Sequence, residues 1–163
     1  MNKSTPLQRG GFTIREATVA DLDLVLHHRR SMFFDMGYRD EAVLSAMLST
    51  SRPFFSERLA DARYRAWFVE SPSGDVVAGG GLIIFDYHSS PRDPHPRKPV
   101  IVNMYTNPAY RRKGFARTLM ETMIAWCRTQ GFGSILLHAS KDGRPLYEQL
   151  GFEPTNEMRL MLR

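Results

Sequence analysis

The chain has 163 residues, of which 42% are hydrophobic and 24% charged, and this predicts one globular domain with a full core rather than two domains. The single cysteine, Cys127, excludes an internal disulfide and a multi-cysteine zinc site, which fits a protein of a reducing compartment. The formal net charge of +5 raises the question of a nucleic-acid partner, but basic patches interleaved with aromatic residues are not obvious.

The beginning of the sequence predicts a strand followed by a helix. Residues 12–15 alternate between apolar and polar side chains, as a half-buried strand does. Thr18 and Asp21 have the spacing of a capping box, in which two side chains satisfy free backbone N–H groups at a helix start. The pattern after them predicts a helix over residues 22–34, on which His27 and His28 are expected to be solvated.

Two helical segments and a hairpin are predicted next. Asp40 is a favourable N-cap for a second helix, and a separate helical piece is predicted over residues 53–59 with a proline in its first turn. A turn-rich stretch between residues 64–70 and 76–87 predicts a β-hairpin. Three successive glycines at 79–81 weaken the second strand, so a bulge or a close backbone approach is expected there.

The centre of the chain predicts an anion-binding turn between a strand and a helix. Prolines crowd residues 88–99 and predict a long loop, and the apolar run after it predicts a buried strand over residues 100–106. A basic turn at 111–114 leads into a helix over residues 114–129, whose apolar face includes Cys127 as an inert core thiol. Free N–H groups at the helix start, the helix dipole and full positive charges together suit a pyrophosphate.

The last part of the chain predicts a second parallel strand and a short helix. Residues 134–139 are nearly all apolar, as in a strand covered on both faces, and the helix before them makes a parallel crossover unit with the central strand. A short helix is predicted over residues 143–150, with Gly151 ending it. Alternating apolar residues predict a closing strand over residues 157–163.

The basic turn resembles the signature of a known family. Arg111-x-x-Gly114-x-Ala116 is similar to the Arg/Gln-x-x-Gly-x-Gly/Ala motif of the Gcn5-related N-acetyltransferases, whose loop holds the pyrophosphate of acetyl-CoA. Arg112 and Ala116 stand where glycine is often seen, and both variants suit a site built mostly of backbone N–H groups. The resemblance implies acetyl-CoA as co-substrate and no metal.

A second motif near the C-terminus supports the resemblance. Tyr147, Gly151 and Phe152 match the family's Tyr-x-x-x-Gly-Phe sequence directly. Ser140 and Gly143 depart from the pattern, because asparagine and alanine are common at these places. Serine is too short to make the amide contact that asparagine makes with the pantetheine arm, so that contact is not expected here.

The resemblance implies an α/β fold, the GNAT (acyl-CoA N-acyltransferase) fold, with a mixed, twisted sheet of about six or seven strands and helices on both faces. It implies a single N-acetyltransferase domain over residues 1–163, of which residues 1–10 are expected to be flexible. The residues expected to bind acetyl-CoA lie on the central strand, on the basic turn with the helix start, and in the C-terminal motif: Met104, Tyr105, Thr106, Arg111, Arg112, Lys113, Gly114, Phe115, Ala116, Arg117, Ser140 and Tyr147.

The mechanism that the resemblance implies is direct attack of an amine on the acetyl thioester, without a covalent enzyme intermediate. A backbone N–H within residues 104–106 would hold the developing oxyanion. Tyr147 matches the family's tyrosine near the CoA sulfur and is the predicted catalytic residue, as an acid for the departing thiolate or by positioning alone. No motif identifies the base, which leaves a bound water, deprotonation of the amine in solution, or one of four side chains: Glu70, Asn103, Tyr105 and His138.

The predicted function is acetyl transfer from acetyl-CoA to the amine of a small molecule. Protein or peptide amines are the alternative acceptors, and a non-catalytic acyl-CoA sensor would also retain the phosphate loop. The acidic character expected of a pocket for cationic acceptors is not visible in residues 32–55. A nucleic-acid binder is a third class, but much of the excess positive charge lies where phosphates of CoA are already expected.

Location and assembly follow from weaker signals. Residues 1–10 lack the apolar core of a signal peptide, and no apolar run approaches the roughly 20 residues of a membrane helix. A cytoplasmic protein with neither a membrane nor a nucleic-acid partner is therefore expected. Dimers are common among enzymes of the resembled family, which leaves a homodimer open.

Overall fold

The computed structural model describes residues 5–6 and 10–162, and its centre is a sheet of six strands paired in the order of the sequence. All neighbours are antiparallel except the last pair, which is parallel. The strands are β1 (Thr5–Pro6), β2 (Thr13–Glu16), β3 (Tyr64–Glu70), β4 (Val76–Asp86), β5 (Arg97–Thr106) and β6 (Leu136–Leu137). The helices of the described residues are α1 (Leu22–Asp35), α2 (Glu41–Ala60), α3 (Phe115–Thr129) and α4 (Arg144–Gln149), with short 3-10 turns at Val19–Asp21 and Pro108–Tyr110.

Helices cover both faces of the sheet because the strands alternate their buried side chains. On β3, Trp67 and Val69 pack in one core cluster with α3, whereas Ala66 and Phe68 pack in a second cluster with α1 and α2. The predicted α/β class with helices on both faces is confirmed. Cys127 of α3 lies in the first cluster, and burial raises the pKa of its thiol to about 12, as an inert core cysteine requires. Within the described residues, no helix combines the length and the apolar character needed to span a bilayer.

The capping box and the first helix form as predicted, but the next two helical segments are one helix. The Thr18 N–H donates to Asp21 Oδ2 at 2.7 Å, and α1 follows the short 3-10 turn. The predicted separate piece over 53–59 is wrong, because α2 runs unbroken through Pro53. A proline inside a helix costs about 3 kcal/mol. The burial of Leu44 and Phe55, each 2% exposed, offsets that cost at about 1.5–3 kcal/mol per side chain.

The predicted loop over residues 88–99 ends earlier than expected, because residues 97–99 already belong to β5. Pro99 lies opposite Ile84 of β4, and the Ile84 N–H donates away from β5, to the Arg63 carbonyl at 2.8 Å. This makes Ile84 and Pro99 a non-hydrogen-bonded pair, in which the nitrogen of Pro99 faces away from β4. The proline therefore removes no hydrogen bond from the β4–β5 ladder.

The C-terminal strands are shorter than predicted or missing. The strand predicted over residues 134–139 is reduced to β6, two residues long. The closing strand predicted over residues 157–163 is wrong for residues 157–162, which form no strand, and Met158 and Leu160 are 95% and 82% exposed. Alternation predicts a strand only where a neighbouring strand pairs with it, and none of the described strands does so here. Arg163 lies outside the described residues. So does most of the segment 1–10, which was predicted to be flexible.

Candidate functional site

The central strand β5 carries a bulge opposite the three glycines of β4. Gly79 pairs with Tyr105 and Gly81 pairs with Val102, so Asn103 and Met104 together face the single position of Gly80. Such a bulge bends the strand and turns backbone groups out of the ladder. The sequence therefore predicted the irregularity, but the extra residue belongs to β5 and the glycines make room for it.

A cleft of about 1280 Å³ opens where β5 and β6 separate. The two strands pair only through Val100 with Leu136 and Ile101 with Leu137, and the cleft is lined by β5 from Ile101 to Thr106 and by the residues that follow β6. The bulge thus lies at the wall of the cleft. Backbone N–H groups of β5 beyond Ile101 that face β6 have no strand partner there, so they can donate to a bound molecule.

The basic turn between β5 and α3 has the predicted strand–turn–helix form and borders this cleft. Asn107 Oδ1 accepts from the Ala109 N–H at 3.0 Å and starts the short 3-10 turn. Arg112 and Gly114 then take positive φ values of 60° and 82°, and α3 begins at Phe115. Gly114 suits this left-handed position because it has no Cβ, and the free N–H groups of the first helical turn follow directly.

The sequence-predicted residues of the turn are brought to the cleft with one difference. The residues of this region that line it are Arg111, Arg112, Gly114, Phe115, Ala116 and Arg117. The Lys113 ammonium instead lies over the ring of Tyr110, 4.9 Å from its centroid. Arg117 Nη2 donates to Gln149 Oε1 at 2.5 Å and so connects α3 with α4. Arginine charges and helix N–H groups at one wall suit a phosphate-bearing ligand.

Arg111 also holds the turn in place. Its Nε donates to the Thr106 carbonyl oxygen at 3.1 Å, and its guanidinium pairs with Asp35 at the end of α1. Part of the positive charge predicted for this residue is therefore balanced inside the protein. Arg111 links the end of β5, the turn and α1 around the mouth of the cleft.

Tyr147 lies on α4 and lines the same cleft as the bulge and the basic turn. Burial raises the pKa of its phenol, so the hydroxyl is protonated at neutral pH. The ring lies against Gly143, where a Cβ would come within 2.8 Å of Tyr147 Cε2. Glycine in place of the family's alanine therefore leaves room for this ring. Ser140 Oγ accepts from the Gly143 N–H at 3.1 Å, which commits the short side chain to starting α4.

The four candidate bases are placed very differently. Glu70 Oε1 accepts a hydrogen bond from Arg15 Nε at 2.5 Å, and Glu70 does not belong to the cleft lining. The His138 side chain is 71% exposed at the rim, 3.9 Å from Glu157. Asn103 is buried, and its amide is hydrogen-bonded on both sides. Tyr105 lines the cleft and packs on His28 at a ring distance of 5.0 Å.

The expectation that His28 is solvated is wrong, although His27 beside it is exposed. His28 is 3% exposed and packs edge-on against Phe68, and its Nδ1 has no hydrogen-bond partner among the described residues. Burial, together with the charge of His27, lowers the pKa of His28 to about 4. A neutral imidazole therefore lies behind the bulged strand. The sequence signal was its spacing, since His28 follows Val25 and Leu26 on the buried face of α1.

This burial predicts a pH dependence of stability. Between about pH 6.5 and 4, His28 binds a proton in the unfolded chain but stays neutral in the folded protein. The free energy of unfolding therefore falls as the pH is lowered through this range, by about 3 kcal/mol in all. His28→Leu should remove this part of the slope, measured by urea unfolding across that range. His27→Leu is the matched control and should keep most of it. An unchanged slope in His28→Leu would contradict the assignment.

A buried polar network around Arg29 was not predicted from the sequence. Arg29 Nε donates to Ser51 Oγ at 3.1 Å, and Arg29 Nη1 donates to Asn103 Oδ1 at 3.0 Å. Asn103 Nδ2 in turn donates to the Tyr64 hydroxyl oxygen at 3.1 Å. Burial raises the pKa of Tyr64 to about 12, so this phenol is neutral. The network connects α1, α2 and β3 to Asn103, whose φ of 56° marks the bulge.

Comparison with known proteins adds a family match and one curated relative. The family model described as Acetyltransferase (GNAT) family matches residues 26–152. Glucosamine 6-phosphate N-acetyltransferase of Trypanosoma brucei brucei is 30% identical over 112 residues, which cover 64% of this chain and 73% of that protein.

Solved structures agree with the family match. A GCN5-related N-acetyltransferase from Ralstonia eutropha is 35% identical, with a TM-score of 0.87 over 93% of this chain and 99% of that one. A predicted acetyltransferase from Clostridium acetobutylicum, solved with acetyl-CoA, is 26% identical, with a TM-score of 0.84 over 93% and 96%. Each likeness covers nearly the whole of both chains.

Proposed function

Since this chain belongs to the acetyltransferase (GNAT) family, we propose that it transfers the acetyl group of acetyl-CoA to the amine of a small molecule by direct attack. The observation that carries the proposal is the cleft itself. A bulged strand, the start of α3 with its arginines, and the phenol of Tyr147 all line one space. These are the parts that binding a phosphate, holding an oxyanion and protonating a thiolate require.

The basic turn would hold the pyrophosphate of acetyl-CoA. The left-handed Arg112 and Gly114 bring the first N–H groups of α3 to the cleft, and three arginines of the turn and helix supply charge. Met104, Tyr105 and Thr106 would bind the pantetheine arm through the backbone groups that β6 leaves unpaired. Ser140 would contribute little, because its hydroxyl already serves the start of α4.

The chemistry needs no covalent enzyme intermediate. The lone pair of the amine attacks the thioester carbonyl carbon, and a backbone N–H of residues 104–106 holds the oxyanion that forms. As the tetrahedral intermediate collapses, the carbon–sulfur bond breaks and the electron pair leaves with sulfur. Tyr147, whose protonated phenol lines the cleft, would donate its proton to the departing thiolate. The proton of the amine leaves to solvent, to a bound water, or to Tyr105 or His138, which line the cleft. Glu70 is paired with Arg15 and lies outside the lining, and the Asn103 amide is hydrogen-bonded on both sides.

Initial-rate kinetics with a panel of acceptors test this proposal. The panel contains amino acids, polyamines, amine-bearing peptides, and glucosamine 6-phosphate with glucosamine, because one relative is named for the phosphorylated sugar. Direct attack predicts intersecting double-reciprocal lines, and intact mass should show no acetylated enzyme. Parallel lines with an acetylated enzyme would contradict direct attack, and turnover of peptides alone would contradict a small-molecule acceptor.

Arg111→Ala is expected to weaken acetyl-CoA binding about tenfold or more, because a charge-assisted hydrogen bond contributes about 1.5–3 kcal/mol. The variant also releases Asp35 and the Thr106 carbonyl, which loosens the turn. Isothermal titration measures the dissociation constant. Arg128→Ala, at the exposed far end of α3, is the matched control and should bind as wild type does. Equal affinity in Arg111→Ala would remove this residue from the binding site.

A further inference from the structure

Arg29 presents a cationic group to the part of the cleft that α1 forms. The residues of α1 that line the cleft are Arg29, Met32, Phe33 and Asp35, followed by Met36 just after the helix. Arg29 reaches the bulge, where its Nη1 donates to Asn103 Oδ1 at 3.0 Å. Met104, the next residue, belongs to the segment whose backbone is proposed to hold the oxyanion. A molecule bound to Arg29 would therefore lie beside the place of acetyl transfer.

The guanidinium is held firmly but only by neutral partners. Nε and Nη1 donate to Ser51 and Asn103, and the rings of Phe33 and Phe55 lie 5.0 and 5.5 Å from the central carbon. Nη2 donates to no described residue. A guanidinium has five N–H donors in one plane, and two of them are used here. The remaining donors, on Nη1 and Nη2, are left for a bound oxyanion.

No carboxylate of the described residues forms an ion pair with Arg29. Asp35, the acidic residue that α1 contributes to the cleft, is paired with Arg111, and Asp142 lies exposed on the loop before α4. Burial lowers the pKa of Arg29, but a guanidinium keeps its charge at neutral pH. A half-buried charge without a counter-charge is unfavourable, and an anion bound in the cleft would relieve it.

We propose that Arg29 binds an anionic group of the amine acceptor, a carboxylate or a phosphate, and so selects anionic acceptors over neutral and cationic ones. This inference rests on the proposed acetyl transfer, because it concerns the second substrate of the same cleft. Ser51 and Asn103 fix the plane of the guanidinium, and its free edge recognises the oxygens. Polyamines would be poor acceptors, since their charge repels Arg29.

Matched acceptor pairs test the inference. Each pair differs only in the anion: an α-amino acid against its amide, and an amino-sugar phosphate against the free amino sugar. Wild type should favour the anionic member of one pair by about tenfold or more in kcat/KM, and which pair responds tells carboxylate from phosphate. Arg29→Met should bring that ratio close to one through a higher KM for the anionic member. Arg29→Lys should keep part of the preference, because it keeps the charge and loses the planar pair of donors.

A purely structural role of Arg29 makes a different prediction. If the residue only ties α1 and α2 to the bulge, Arg29→Met lowers kcat/KM for both members equally, and this overturns the inference. Arg30→Met is the control, since Arg30 on the same helix pairs with Glu41 outside the cleft. Circular dichroism checks that both variants fold.

Titration of the same pairs into the complex with CoA separates this inference from the proposed function. Anionic members that bind more tightly, with the difference lost in Arg29→Met, support the role of Arg29 even where no thiol is released. In that case acetyl transfer fails and anion recognition stands. If both members of each pair are acetylated with equal kcat/KM, acetyl transfer stands and anion recognition fails. Absence of any preference in wild type, in binding and in turnover, overturns the inference.

Discussion

Replacing Tyr147 by phenylalanine is expected to lower kcat about 100-fold, at the low end of what a general acid contributes. The change removes only the hydroxyl, which bonds to no described residue, and keeps the ring that lies over Gly143 and against Phe152. The departing thiolate then loses its proton donor, while the phosphates and the pantetheine arm of acetyl-CoA keep their proposed contacts with the basic turn and β5. The dissociation constant of acetyl-CoA should therefore change by no more than about threefold, which is about 0.7 kcal/mol.

The split between kcat and binding is the informative readout for Tyr147. Thiol release gives kcat, and titration calorimetry gives the affinity for acetyl-CoA. Tyr87→Phe is the matched control, because Tyr87 is 46% exposed and stacks on His88 outside the cleft. If Tyr147→Phe turns over as wild type does, the phenol has no part in the chemistry and the assignment is wrong.

Gly80→Ala is expected to lower kcat about 100-fold as well, through the geometry of the bulge. A Cβ at this position would overlap the sulfur of Met104 and approach Met123 Cε to 3.4 Å. The thioether of Met104 would have to turn aside within a core that Met123 already fills, and we expect this displacement to reach the bulge whose backbone is proposed to hold the oxyanion. A misplacement of about 1 Å at such a site can cost about 100-fold in rate, and overpacking costs about 1–3 kcal/mol of stability.

A double variant separates the clash at Gly80 from other effects. Met104→Ala in the Gly80→Ala background removes the overlapping atoms, so the free energy of unfolding and part of kcat should return relative to Gly80→Ala alone. Thermal unfolding and thiol release measure the two quantities. If Gly80→Ala is as active and as stable as wild type, β4 has no tight position opposite the bulge of β5, and the role given to the three glycines fails.

The parts of the site that could be predicted are those encoded in neighbouring residues. The strand before Asn107, the turn at Gly114 and the helix to Thr129 formed as expected, because proline, glycine and apolar spacing act over a few residues. The glycines at 79–81 likewise marked a close approach of the backbone. Their partner, the bulge at Asn103, could not be assigned to β5, since the register between two strands depends on both of them.

The parts that could not be predicted depend on distant packing. Pro53 was expected to start a helix, but the burial of its neighbours on α2 keeps the helix continuous. Alternation over residues 157–163 predicted a strand, and none of the described strands pairs with residues 157–162. His28 was expected to be solvated and Arg29 was given no role, although His28 lies on the buried face of α1 and Arg29 follows it directly. Their environment comes from α2, β3 and β5, which a local pattern cannot show.

The most direct test of acetyl transfer in this cleft is acceptor-dependent release of CoA thiol, with the acetylated product identified by mass spectrometry. We predict release above the acceptor-free rate for a small primary amine, with one N-acetyl product formed for each thiol. Tight binding of acetyl-CoA with no acceptor-dependent release across small molecules and peptides would contradict acetyl transfer. That result would make the chain an acyl-CoA sensor rather than a transferase.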